Sequence, residues 1–238
     1  MVTRLAIGDI PVDVVLKEIK NIHLSVYPPT GRVRISAPSG MNIDTIRLYA
    51  ISRLGWIKKQ QHKLRGQERE TPREYLNRES HYLWGKRYLL KIVEREAPPF
   101  VDLHHSTILL HIRAEASQEK KQLVLDEWYR KQLKVAIPDL IALWEKRIGV
   151  RVNDFGIKKM KTKWGTCNPD AHRIWVNLEL AKKPKECLEY IVVHEMVHIV
   201  ERHHNERFVS LMDNVMPQWR SRRDDLNRLP VKHEEWKY

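Results

Sequence analysis

Apolar and polar residues alternate in short stretches through the first forty positions, and the period then lengthens to that of a helix. Residues 12–19, 22–28 and 32–37 read as antiparallel strands, with Pro28-Pro29-Thr30-Gly31 as a hairpin turn and Pro38-Ser39-Gly40 closing the third. Asn42 or Asp44 then caps a helix running from about Ile43 to Gln67, with Ile46, Leu48, Ile51, Leu54, Ile57 and Leu64 on its apolar side. Residues 68–80 are dense in charge and hold Thr71-Pro72, so they predict an exposed connector and a domain boundary. Strands follow at 86–93, 100–103 and 107–112, and Ser117 opens a long helix to about Ile148 that Pro138 should kink or divide. Residues 150–158 read as another strand. Ile174, Val176 and Leu178 alternate with Trp175, Asn177 and Glu179, the period of a strand with one buried face. A helix over 185–201 follows Pro184, which suits a first-turn position, and Phe208, Leu211, Met212 and Val215 give the next helix its apolar stripe until Pro217. The class is α+β. Residues 1–70 form strands plus a helix, and 71–238 form a second region, with one integrated unit as the alternative.

The helix at 185–201 differs from the others. Ile191, Val192, Val193, Met196, Val197, Ile199 and Val200 leave it no polar face except the stripe carrying His194, Glu195 and His198, so it is a buried helix with one wet strip. Four residues turn a helix through about 400°, which puts His194 and His198 on one face, close enough to share a metal. Glu195 then reaches a water on that metal. A residue six positions beyond His198 would lie roughly 240° away on a continued helix. His204 therefore joins the site only if the helix ends near Arg202 or His203 and the chain turns back; Asn205 tolerates a left-handed conformation there. His203, Glu206 and Asp213 are the rivals for the third ligand position, with His204 preferred on spacing.

Three protein ligands leave zinc a fourth position for water, whose pKa falls to about 7. Glu195 would take the proton of that water as it attacks a carbonyl carbon and pass it to the leaving amine. The reaction class is peptide-bond hydrolysis with one Zn2+ per chain. At the His and Glu frequencies of this chain, a His-Glu-x-x-His core is expected about 0.03 times by chance. The bland alternative is a solvated helix face whose histidines only cap or hydrogen-bond, but such a face would carry charged flanks where this one carries aliphatics. The strand at 174–178, just upstream, is either an ordinary core hairpin or the rim of a cleft whose free edge pairs with an extended peptide. On the second reading Trp164, Trp175 and Asn177 are candidate substrate contacts. Tyr190, one turn before His194, either supports a ligand or packs, and His203, His172 and Lys163 are all candidates for oxyanion stabilisation.

The segment Lys163-Trp164-Gly165-Thr166-Cys167, a short strand, and the run His194-Glu195-x-x-His198-x5-His204-x3-Phe208 together resemble the YgjP-like metallopeptidases, relatives of the WLM and SprT-like zinc proteases. Leu83-Trp84-Gly85-Lys86-Arg87-Tyr88 is similar to the amino-terminal half of that family. The resemblance covers most of the chain. It implies a zincin-like carboxy-terminal catalytic domain, a single zinc held by His194, His198 and His204, and Glu195 as base. Two positions depart from the family pattern: His203 stands where Asn is usual before the third histidine, and Lys163 where Arg is frequent.

Composition adjusts this picture in two ways. With 238 residues the chain can bury a substantial core, and no run of eighteen apolar residues suggests a membrane span. The start lacks a long apolar stretch, so no signal peptide is read there and the cytoplasm is the default compartment; two cysteines, Cys167 and Cys187, fit a reducing setting. The net charge of +13 would attract acidic partners, nucleic acid included. No nucleic-acid-binding motif accompanies it, so protein or peptide substrate is the favoured partner, with a DNA-associated protease and a non-catalytic zinc-stabilised peptide scaffold as the alternatives.

Overall fold

The computed structural model describes residues 2–27, 30–66, 73–160 and 163–229. The turn expected at Pro28-Pro29 and the connector residues 68–72 lie outside the described residues. The chain divides into two compact units, one within residues 1–72 and one spanning Arg73–Leu229. No described helix is long and apolar enough to cross a membrane.

The first unit is a four-stranded sheet backed by two helices. Strands β1 (Val2–Ile7), β2 (Ile10–Lys17), β3 (His23–Tyr27) and β4 (Arg32–Pro38) lie in the order β1-β2-β4-β3. The expectation of antiparallel strands throughout fails at its centre, where β2 and β4 run parallel with Val12 opposite Val33 and Val14 opposite Ile35. That register sets the two most apolar strands side by side over the core, while β3, with no fully buried residue, goes to the edge. The predicted single helix is two, α1 (Ile43–Ser52) and α2 (Leu54–Gly66). Asn42 caps the first by accepting from the Asp44 N–H at 2.8 Å. Ser52 Oγ donates to the Tyr49 carbonyl at 2.8 Å, competing with the helical bond at the break. Ile46, Ala50 and Ile57 are the buried residues; Leu48 and Ile51, assigned to the apolar side from sequence, face solvent.

The second unit holds two sheets around a helical core. Strands β5 (Ser80–Leu83), β6 (Lys86–Glu94), β7 (Phe100–His104) and β8 (Thr107–Ile112) order as β5-β6-β8-β7. Helix α3 (Gln118–Ile148) is one element despite Pro138, because Leu133, Ile137, Ile141 and Trp144 anchor it in the core on both sides. Ser117 caps its start and Gly149, at φ 76°, ends it. Strands β9 (Asp154–Lys158), β10 (Gly165–Asn168) and β11 (Arg173–Asn177) form a second sheet in the order β10-β11-β9. A 3-10 turn, Leu178–Lys182, leads into α4 (Lys185–Val197), followed by α5 (Glu206–Val215) and α6 (Trp219–Arg228). Helix α4 is the centre of this unit: Val192, Val193, Met196 and Val197 are fully buried.

The two-residue β5–β6 turn explains the Trp84-Gly85 pair. Both residues have positive φ, 51° and 77°, as a tight hairpin turn of this kind requires. Their N–H groups donate to the carbonyls of Ala181 at 2.9 Å and Lys182 at 3.2 Å, so the turn abuts the entry to α4. A Cβ on Gly85 would stand 2.9 Å from Pro184 Cγ. Gly85→Ala is therefore expected to cost about 1–3 kcal/mol through left-handed strain and the push on Pro184. Thermal unfolding should show the loss; an unchanged midpoint would mean that the turn does not brace the helix.

Candidate metal centre

Helix α4 carries His194 and His198 to one point because it is held by its aliphatic faces. It ends earlier than the sequence suggested: Val197 is its last residue and His198 its C-cap, with Ile199 and Val200 closing short turns onto Met196 and Val197. The chain then reverses. Asn205 effects the return in an extended conformation, φ −91°, as the N-cap of α5, its side chain accepting from the Phe208 N–H at 3.0 Å. The left-handed turn allowed for Asn205 is not used.

This reversal brings His204 back to the helix. Its Nε2 lies 3.0 Å from Nε2 of His198 and 3.0 Å from Nε2 of His194. Zinc–nitrogen bonds of 2.0–2.1 Å in tetrahedral geometry set ligand nitrogens about 3.3 Å apart, so three converging imidazoles at this spacing fit such an ion. Among the described residues His194, His198 and His204 form the one cluster of metal-ligating type. His203 is exposed, with its N–H donated to Glu201, and Asp213 is engaged by Trp219 and Arg220. The Glu201 carbonyl faces His198 Nδ1 at 3.0 Å, which leaves Nε2 for a metal. Beneath the cluster lies Phe208, its ring centroid 4.7–5.0 Å from all three imidazoles.

Glu195 is 5% exposed, beside this cluster. Burial pushes its carboxyl up to about 8, against the pull of the Lys163 charge. Gly165 makes the space for it: a Cβ there would lie 2.6 Å from Glu195 Oε1 and 2.8 Å from Cγ. This is the physical reason for glycine after Trp164. Burial, with the neighbouring imidazoles adding to it, pushes His194 down to about 3, so the ring is neutral and able to ligate at pH 7. Cys167 lines the same space, but burial and then the Glu195 charge push its thiol up to about 11, which leaves it protonated.

The cleft over these groups has a volume of about 560 Å³. Lys163, Trp164 and Gly165 through Cys167 form one wall; Tyr190 and Ile191 from α4, and Arg223, Leu226 and Asn227 from α6, form another. Trp175 and Asn177 are not part of its lining. Trp175 lies over Gly156 of β9, where a Cβ would meet its ring at 2.2 Å, and Lys158 sits 4.4 Å from its centroid. Asn177 is buried and donates to the carbonyls of Met160 and Lys163, both at 2.8 Å, so it fastens the segment that carries Trp164. The edge assigned to 174–178 is also elsewhere. Strand β11 is the middle strand, paired on both sides; the edge strands are β9 and β10, and of the two it is β10 whose residues line the cleft. Helix α6 went unread because only Trp219 and Leu226 are buried in an otherwise charged stretch. His172 bonds the Arg151 carbonyl at 2.8 Å and takes no part in the cleft.

A family model described as YgjP-like, metallopeptidase domain, matches residues 20–229. No curated protein matches the chain. Among solved structures it is similar to the metallopeptidase zymogen of Pyrococcus abyssi abylysin, at 18% identity over 38% of this chain and 90% of that one. The TM-score of 0.36 makes this a slight likeness.

Two outcomes follow from the geometry. Gly165→Ala should displace Glu195 and lower turnover by about 10²-fold while metal content and fold are retained; full activity in that variant would mean that Glu195 is not held where it must act. In chelator-treated protein the unfolded chain binds a proton at His194 near pH 6.5, whereas the folded chain does so only near 3. Between these values the unfolded state holds more protons, so stability present above pH 6.5 is lost on acidification, by about 1.4 kcal/mol per pH unit. Denaturant titrations at pH 7 and 5 should show that loss, and His194→Asn should reduce the slope; equal slopes would contradict a neutral buried His194.

Proposed function

The chain belongs to the YgjP-like metallopeptidase family, and on that premise we propose that it is a zinc-dependent endopeptidase acting on protein or peptide substrates. The observation that carries this reading is the convergence of three Nε2 atoms beside a buried carboxylate at the floor of an open cleft. His194, His198 and His204 would hold the ion. Zinc bound there supplies a Lewis acid and brings the pKa of a water down to about 7. Glu195 takes the proton of the attacking water and returns it to the leaving amine; its raised pKa, near the working pH, suits both halves of that exchange.

The remaining roles are assigned from position. The substrate runs as an extended strand along the open edge of β10, hydrogen-bonding its main chain, with Trp164 as an apolar wall. Lys163 lines the cleft and acts electrostatically on Glu195, which makes it the best placed of the three oxyanion candidates. Tyr190 packs its ring edge against His194, with centroids 5.7 Å apart, and so orients that imidazole. A purely structural metal scaffold would have no reason to bury Glu195 beside the ligands, since desolvating a carboxylate is costly.

Glu195→Gln tests the reading. Turnover should fall by about 10³-fold while one equivalent of metal is retained. Wild-type protein that binds no transition metal after reconstitution, or a variant as active as wild type, would overturn it.

A further inference from the structure

The proposed hydrolytic machinery uses only Lys163 among the cationic side chains of the cleft, and the others have no part in it. Among the described residues the cleft lining includes three cationic side chains, Lys163, Arg202 and Arg223, and one carboxylate, the buried Glu195. Among the described residues no carboxylate lies within ion-pair distance of Lys163 or Arg202. Arg223 does meet Asp224 at 3.0 Å, yet its side chain stays 43% exposed, with its guanidinium 5.1 Å from the Trp219 ring centroid. Like charges gathered in a concave site repel one another, and low-dielectric walls focus their field, so the arrangement favours an anionic guest.

The two arginines reach the cleft from different elements. Arg223 belongs with Leu226 and Asn227 on α6 and acts electrostatically on Tyr190, one turn before His194. Arg202 follows His198 in the reversal that leads to His204. From position 190 to position 198 the helix rises about 12 Å. An extended peptide covers that distance in about three to four residues. We propose that Arg202 and Arg223 make this cleft selective for acidic peptides, each arginine receiving a carboxylate side chain on its own side of the scissile bond. This rests on the metallopeptidase reading. A peptide is favoured over nucleic acid because the cations share one cleft with the three histidines, Glu195 and the edge strand β10, along which an extended chain can pair.

The test uses zinc-loaded full-length protein and fluorogenic peptides of one sequence frame, with Glu, Gln or Lys at the positions flanking the cut. Glu peptides should be cleaved with kcat/KM about tenfold above Gln peptides and further above Lys peptides, the difference shrinking at 0.5 M salt, where the Debye length falls to about 4 Å from about 10 Å at 0.1 M. Arg223→Glu and Arg202→Glu should each invert the preference on one side; Arg223→Gln and Arg202→Gln, closer in size, should abolish it and serve as the test should the reversed charges prevent folding. Equal cleavage of Glu and Gln peptides, or a profile unmoved by both substitutions, would overturn the proposal. Binding to zinc-loaded Glu195→Gln, read by anisotropy, separates this failure from that of the catalytic reading. Selective binding of Glu peptides without any wild-type cleavage leaves the selectivity standing and removes the hydrolysis, whereas no selectivity in binding removes the proposal. A single-stranded oligonucleotide that displaces the Glu peptide at lower concentration than poly-glutamate does would assign the cations to nucleic acid instead.

Discussion

The packing of α4 is the constraint on which the catalytic unit depends. A helix with aliphatic residues on nearly every face can be held only by surrounding it, and Val192, Val193, Met196 and Val197 are fully enclosed. Its remaining stripe is then fixed in rotation to within the tolerance of a packed core, which positions His194, Glu195 and His198 and sets the His194 and His198 rings edge to face, 4.9 Å apart. The β5–β6 turn meets the entry of this helix, and α3 and α6 lie against its flanks. Elements far apart in the chain thus serve one helix.

Two close approaches refine what the core sets roughly. Phe208 closes the floor below the three imidazoles, and a ring in contact with all of them limits how far each can turn. Gly165 lets β10 come near enough to α4 that the strand edge and the Glu195 carboxylate border the same space. Asn177, in spending its amide on the carbonyls of Met160 and Lys163, secures the segment leading into that strand. A catalytic group is exact in proportion to how little freedom its neighbours leave it.

The low dielectric that follows from this burial shapes the electrostatics. Burial raises Glu195 and lowers His194, in each case favouring the neutral form, and a neutral imidazole is the form that can ligate a cation. At the cleft mouth the situation reverses. Arg202 is solvent-exposed and Arg223 is partly so, and they hold their charge at modest cost.

Local periodicity and side-chain chemistry were enough for the α+β class, most strands, the α3 and α4 helices, and the placing of His194 and His198 on one face beside Glu195, since helical geometry relates residues four apart wherever the helix lies. Short strands such as β5 and β10 carry too few residues for a period to show, and α6 buries too few apolar side chains. Which strand edge stays open was decided by sheet order, a non-local property that placed β11 between two partners and moved Trp175 onto Gly156. The third histidine was legible only as a spacing. Its return to the metal face depends on the early end of α4 and the Asn205 cap, and these are set by how α5 packs Phe208 and Met212 into the core. Tertiary contacts choose among conformations that the local sequence leaves nearly equal in energy, and for that reason the side chains that meet at the cluster were readable from the chain while the shape of the cleft around them was not.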